Sequence, residues 1–361
     1  MSMLFIEPSD VWLFRDGRPF NIGSGQRVQS LFPPFPNVVQ GAIRSHQLAL
    51  KKVNLHDKDS IVAAVGTSED YGQLRLRGPF LARVEKDTAG KETIVPYFPL
   101  PMDAVVKNGE VRPASAPRQA SEVKTSLGEN LWIMGLDDQP EKIKGNLWLS
   151  CTQLLQYLDG KAVRIASTAT SEKHFFTREN RIGNSIDSSL GITQTGMLFE
   201  VEYIRPEKGV GLLVEMSGYD DWPSSGIFRF GGESRSASFR KVNVSFEMGK
   251  VQDRKLPKRF KIYFASPTWF SAGWRPENWN IFFEGSVKLV SAAVGRYQSI
   301  GGFDYAKQWH KPCRRFVPAG SVYYFETTGA ASIRQDLIQN ALTEWGAEIG
   351  FGQYFITSKE W

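Results

Sequence analysis

The sequence predicts an α+β fold: two ferredoxin-like (RRM-like) βαββαβ domains in tandem, with inserted loops or hairpins. Three observations predict it. The alternation of half-buried strands recurs in both halves, with Phe199, Val201 and Tyr203 set against Glu200 and Glu202, and Phe260, Ile262 and Phe264 set against Lys261 and Tyr263. Helical patterns stand among these strands near residues 38–52 and 333–345. The 361 residues suffice for two domains, and a chain that is 41% hydrophobic and 12% aromatic can fill two cores.

In chain order, residues 3–8 read as a first strand. The loop over 9–36 is rich in Gly and Pro and too long to be idle in a compact domain. A helix then runs from about Val38 to Lys52, with Asn37 as N-cap and Val39, Ala42, Ile43 and Leu50 as apolar stripe, while Gln40, Arg44 and Gln47 face elsewhere. Residues 73–84 and 91–98 read as a strand pair around Asp87-Thr88-Ala89-Gly90. The stretch 102–146 is polar and proline-punctuated, an excursion from the sheet that is expected to be partly mobile. A short helix follows Leu147-Trp148-Leu149, with Thr152 as N-cap and Leu154, Leu155 and Leu158 as apolar face.

Met197 to Ile204 reads as a strand, and Arg205-Pro206-Glu207-Lys208-Gly209 as the junction between domains 1–205 and 206–361. The second domain offers strands near 210–216, 260–264 and 322–326. Its helix over 333–345 carries a Ser332–Gln335 capping box and ends at Gly346. A glycine-bracketed loop, Gly350-Phe351-Gly352, then enters a last strand.

The formal net charge of +6 permits nucleic-acid binding without requiring it. Its distribution says more. Residues 227–241 carry Arg229, Arg235, Arg240 and Lys241 against Glu233; residues 301–320 carry Lys307, Lys311, Arg314 and Arg315 against Asp304. Aromatics are interleaved in both, a pattern that fits either RNA contact or strands with charged outer faces. In Phe14-Arg15-Asp16-Gly17-Arg18-Pro19-Phe20 the Asp-Gly turn projects two arginines beside aromatic rings, which suits phosphates and unpaired bases, or a solvated loop closed by an ion pair.

Several function classes find no support. The sequence lacks a GxxxxGK[ST] phosphate loop, a dinucleotide GxGxxG in context and a Gly-x-Ser-x-Gly elbow. Four histidines and two cysteines, Cys151 and Cys313, are spaced for neither a zinc site nor a disulfide framework. No metal and no cofactor is expected. No apolar run reaches the roughly 18 residues of a membrane span, and the early acidic N-terminus does not read as a signal peptide, so a cytoplasmic protein is expected. His46 could serve as general base of a metal-independent ribonuclease, but its helical register fits a half-buried structural histidine better; His174, beside Phe175 and Phe176, also reads as a packing residue. The Gly350–Gly352 loop could admit a phosphate, with Phe351 stacking on a base, or be a plain turn.

Together these segments resemble one family. Phe14 to Phe20 with the Pro36–Ser45 helix start, Arg181-Ile182-Gly183 with Asp187 running into Gly196–Phe199, Phe230-Gly231-Gly232-Glu233-Ser234-Arg235, Gly301-Gly302-Phe303-Asp304, and Lys311-Pro312 with Arg314 to Tyr323 resemble, in order, the hallmarks of the third subunit of the type III-B CRISPR effector (the Cmr complex). Ile349 to Gly352 resembles the glycine-rich loop of repeat-associated RNA-binding (RAMP) proteins. The resemblance implies a non-catalytic RNA-binding subunit of antiviral defence. Such a subunit holds the 5′ repeat-derived tag of the guide RNA, and it bridges the large palm-domain subunit to a backbone RAMP subunit. Two related readings stay open: a metal-independent repeat-processing endoribonuclease, and the equivalent fourth subunit of a type III-A complex. On the first reading Arg15, Arg18, Gln40 and Arg44 line one wall of the tag site. Arg181 and Arg235 extend it, Lys311, Arg314 and Arg315 contact phosphates, and Gly350, Phe351 and Gly352 admit the backbone.

Overall fold

The computed structural model describes residues 1–15, 27–86, 90–119, 131–135, 141, 145–165, 171–187, 189–244, 255–304, 307–357 and 360–361, with backbone alone at 195–197. Two compact units emerge, each assembled from three separated stretches. The first comprises Met1–Glu92, Phe175–Asn243 and Ser299–Arg314; the second comprises Thr93–His174, Val244–Gln298 and Arg315–Trp361. The junction expected at 205–209 falls inside the first unit, where Glu207 to Val210 form the tight turn between two strands. The described residues are mostly strand with three α-helices, consistent with an α+β class. None of those helices is long and apolar enough to cross a membrane.

In the first unit, five antiparallel strands lie in the order Ser225–Arg229, Ser236–Val242, Ser2–Pro8, Val210–Ser217, Arg75–Lys86. Helix α1 (Pro36–Leu50) packs on this sheet. It starts two residues earlier than expected: Phe35 is the N-cap and Pro36, whose fixed φ suits a first turn, stands at N1. Its buried face is Pro36, Val39, Gln40, Ile43 and Gln47, so two glutamines replace the expected Ala42 and Leu50, and Leu50 is exposed. Helix α2 (Lys58–Val65) follows, capped by Asp57, which accepts from the Asp59 amide at 3.1 Å.

A long hairpin, Phe176–Asp187 with Ile192–Pro206, stands beside the sheet, and Arg27–Val28 adds a short parallel strand to it. Gly183 lies under the Phe199 ring, where an added Cβ would come within 2.4 Å of Phe199 Cζ. A second hairpin, Gln298–Asp304 with Trp309–Phe316, forms its own two-stranded sheet.

In the second unit, Val287–Ala293, Val322–Thr327, Arg259–Phe264 and Tyr354–Ile356 form a four-stranded antiparallel sheet in that order. Its core holds Phe260, Phe264, Trp279, Phe283, Tyr323, Phe325 and Tyr354. Helix α3 (Cys151–Leu158) is capped by Ser150 with Gln153 in a reciprocal capping box, two residues before the expected Thr152. Part of the expected polar excursion is regular structure: Ala104–Lys107 and Glu110–Pro113 pair as a hairpin, and Asp103 is buried.

The helix expected over 333–345 is absent. Ser332–Ile333 pairs with Phe283–Glu284 as a strand, and Gln339 and Asn340 adopt left-handed φ of 52° and 54°. Tertiary partners override the periodicity. The Leu342 amide donates to the Gly352 carbonyl at 2.9 Å and the Glu344 amide to the Trp269 carbonyl at 3.0 Å, so neither closes a helical turn.

Candidate nucleic-acid interface

The first unit gathers four of the sequence motifs. Phe14 is buried, its ring 5.0 Å from Phe230 and 6.3 Å from Phe32. The glycines after Phe230 let the backbones touch: the Gly232 amide donates to the Leu13 carbonyl at 2.7 Å, and a Cβ on Gly231 (φ 98°) would fall 2.8 Å from that oxygen. Arg15 is exposed and bridges Ser30. Arg18 lies outside the described residues.

Arg181 and Arg235, expected to extend the site, meet over one ring. Each guanidinium carbon lies 4.8 Å from the Tyr203 centroid. The turn before Arg235 holds Glu233 and Ser234 in left-handed φ, each 53°, which directs Glu233 to the Tyr203 hydroxyl and to Arg235 at 3.6 Å. Arg205 completes the group, 2.6 Å from Glu179 and 2.9 Å from Asp10; Arg181 reaches Glu179 at 2.7 Å and Asp10 at 3.6 Å. Hydrogen bonds from Arg205 and Arg181 hold the Glu179 carboxyl below its ordinary value. Three guanidiniums thus face three carboxylates. Exposed pairs of this kind are worth only about 0–1 kcal/mol each, so phosphate can exchange into them cheaply, but the patch carries little net charge of its own.

A second cluster of cations lies between α1 and the 298–316 hairpin. The Asn37 side-chain amide donates to the Gly301 carbonyl at 2.8 Å. Arg44, two turns along α1, donates to the Thr67 carbonyl at 2.6 Å and lies over the Tyr71 ring at 5.7 Å. The loop it anchors presents Glu69, which holds Lys307 at 2.8 Å. Lys311 sits half-buried beside them, and Asp304 is buried. Burial pushes the Lys311 ammonium below its ordinary value, and the neighbouring Arg44 and Lys307 charges push the same way against Asp304 and Glu69. Burial also works against the Arg44 charge. On the same hairpin the Phe303 and His310 rings meet at 5.4 Å, and Trp309 is 73% exposed. Arg314 is half-buried on this hairpin. Arg315 belongs to the second unit and lies over Tyr297 at 4.8 Å.

Four expected site residues, Gln40, Gly350, Phe351 and Gly352, are buried. Gln40 is 4% exposed on the buried face of α1. Phe351 is fully buried, 4.7 Å from Phe316 and 5.4 Å from Trp345, so its ring is filled by packing and offers no face to a base. The amides of Gly350, Phe351 and Gly352 donate to Ala347, Gly346 and Pro267 carbonyls, which leaves them turned away from any phosphate. Their left-handed φ of 108° at Gly350 and 70° at Gly352 serves close approach: a Cβ on Gly352 would lie 2.6 Å from Thr343 Cβ. His46 packs among Trp222, Phe228 and Phe239 at 5.1–5.8 Å, and burial lowers its pKa. Sequence reasoning missed Asn37 as a clamp, Tyr203 as the shared ring and α2–Glu69 as support; only Asn37, beside a proline-started helix, carried a signal, and it read as a cap.

No curated protein matches the sequence. Among solved structures, a chain of the cryo-EM structure of the type III-B Cmr-beta bound to cognate target RNA is similar at 18% identity, over 98% of this chain and 96% of that one, with a TM-score of 0.54. A chain of the same complex bound to cognate target RNA and AMPPnP, state 1, is similar at 16% identity over 89% and 86%, with a TM-score of 0.52. At these identities the likeness speaks for the fold. The model of the CRISPR-associated protein (Cas_Cmr3) family matches residues 4–359, nearly the whole chain, and the protein therefore belongs to that family.

Proposed function

We propose that this chain is the non-catalytic subunit of a type III-B effector that anchors the 5′ repeat-derived tag of the guide RNA. The observation that carries the reading is the convergence of Arg44, Lys307 and Lys311, from segments far apart in sequence, on one hairpin that also exposes aromatic rings. Single-stranded RNA is gripped by such pairings of cation and ring. Family membership and the RNA-bound complexes of similar fold support it. Arg15, Arg181 and Arg235 extend the surface on the same unit. His46, enclosed by aromatic rings, is poorly placed to serve as a ribonuclease base.

The bridging role, toward a large palm-domain subunit and a backbone subunit, belongs to the same proposal. The 176–206 hairpin supports it, because Ile182, Ile186, Leu190, Ile192 and Leu198 are all exposed there. The two units are read as diverged copies of a ferredoxin-like plan.

The test is gel shift and ultraviolet crosslinking with guide RNA carrying an intact or scrambled 5′ tag, with and without the large subunit. Tag-dependent binding without cleavage is expected. Metal-free cleavage at one position in the repeat, abolished by His46→Ala, would overturn the reading.

A further inference from the structure

Trp309 is 73% exposed at the start of the strand Trp309–Phe316. An indole in water is costly, and this one stands on a supported frame. Gln308 before it takes a left-handed φ of 48°, the Lys307 amide donates to Asp304 Oδ1 at 3.2 Å, and the Lys307 ammonium is tied to Glu69. Asn37 pins the opposite strand through Gly301. The ring is therefore presented by backbone fixed on several sides.

The surroundings select the ligand. Phe303 and His310 pack edge to face beside the tryptophan in sequence, so the hairpin offers several flat faces. Its ionic surroundings are cationic on balance: the hairpin carries Lys307, Lys311 and Arg314, Glu69 pairs with Lys307 alone at 2.8 Å, and the hairpin's acid, Asp304, is buried. A protein partner would have to desolvate those cations, whereas a nucleotide offers them a phosphate and offers the indole a base.

We propose that Trp309 is the stacking platform for one unpaired nucleobase of single-stranded RNA, with Lys311 meeting the adjoining phosphate. The inference rests on the RNA-anchoring reading above and assigns that surface its base-contacting residue. Stacking reads the face of a base, which all four share, so Trp309 fixes register and affinity while leaving base identity to other contacts.

The experiment measures affinity of the full chain, alone and in the assembled effector, for tag RNA in which each nucleotide in turn is made abasic. Trp309→Ala is expected to weaken binding about tenfold, the range of one lost base–aromatic stack, with an unchanged slope of log affinity against log salt. Trp309→Phe should retain most of the affinity. One abasic position should make wild type and Trp309→Ala bind alike. If Trp309→Ala costs the same at every abasic position, or nothing at all, the platform is refuted while salt-dependent wild-type binding still upholds the anchoring role. Loss of assembly with neighbouring subunits at unchanged RNA affinity would refute it too and make Trp309 a protein contact. If the wild type binds no tag RNA in either form, both readings fail.

Discussion

The Asn37 side-chain amide donates to the Gly301 carbonyl at 2.8 Å, joining residues 264 apart in sequence. The bond fastens the N-terminus of α1 to the hairpin that carries Lys307, Trp309 and Lys311. It gives the helix start and the Gly-Gly strand, far apart in sequence, one shared contact, and a Cβ placed on Gly302 would meet the same amide at 3.6 Å, an ordinary van der Waals distance.

Asn37→Asp removes the donor and keeps the volume. We expect a stability loss of about 1 kcal/mol, the net worth of one such bond. Tag affinity should fall more than that figure implies, because the cations lose their register with α1. Urea unfolding and a gel shift on the same preparation check it; equal wild-type values in both would show the bond to be incidental.

Lys311 gives the interface a pH signature. Its folded-state pKa lies below the ordinary lysine value, so between the two values the unfolded chain holds a proton that the folded chain has released. Stability of the free protein therefore rises with pH across that window. RNA binding moves the other way, since phosphate prefers the ammonium: affinity should fall as pH rises through the lowered pKa, earlier than an ordinary lysine allows. Lys311→Arg keeps its charge and should flatten the fall. An unchanged alkaline profile in that variant would remove Lys311 from the phosphate site.

His46 titrates with a stability effect of its own. Burial among Trp222, Phe228 and Phe239 lowers its folded pKa, while the unfolded chain keeps about 6.5. As pH falls through the unfolded value toward the folded one, the unfolded state takes up the proton first and stability is lost. His46→Phe should remove that acid-side loss and leave RNA binding intact. Thermal unfolding of wild type and His46→Phe, followed from neutral pH down through the unfolded value of about 6.5 and beyond, would show parallel curves if the ring does not titrate in place.

Legibility in the sequence followed the range of the causes. The strands Arg75–Lys86 and Glu92–Pro99 follow local alternation and stand close to where they are expected, while the arm expected over Met197 to Ile204 is longer, Ile192–Pro206, and its partner Phe176–Asp187 has no alternation that marks it as a strand. The 333–345 segment has helical periodicity, yet Ile333 is held as strand by Phe283, and Leu342 and Glu344 by distant carbonyls, none of which a local pattern contains. The interface divides the same way. Arg44 and Lys311 could be named from charge and motif order, whereas Gln40 and Phe351 share those motifs and are buried. A family motif thus includes buried packing residues beside those proposed for the ligand surface.

That distinction is testable at Phe351. If the ring is core, Phe351→Ala costs about 3–5 kcal/mol in unfolding free energy, and the surviving folded fraction binds tag RNA as wild type does. Phe351→Leu, which keeps most of the volume, should recover much of the stability. Weakened binding in the well-folded Leu variant would instead return the ring to the RNA site.

The same reasoning assigns a structural duty to the stretch expected to be a polar excursion. Asp103 is fully buried and accepts from the Tyr157 and Tyr324 hydroxyls, each at 2.6 Å, with the Lys261 ammonium at 3.4 Å. That ammonium also lies over both phenol rings, at 5.5 and 5.3 Å. Burial, reinforced by the carboxylate, raises both phenol pKa values, which favours the protonated hydroxyls that donate to Asp103. Removing one partner leaves a buried charge uncompensated, and Asp103→Asn should cost about 3–5 kcal/mol. Replacing the pair together, as Asp103→Leu with Lys261→Met, removes both charges and should recover a large part of that loss, though the two phenols still lack an acceptor. Urea unfolding of the single and double variants measures the coupling. Additive losses would mean that Asp103 and Lys261 act independently, and that the 102–146 segment is held to its unit by something other than this carboxylate.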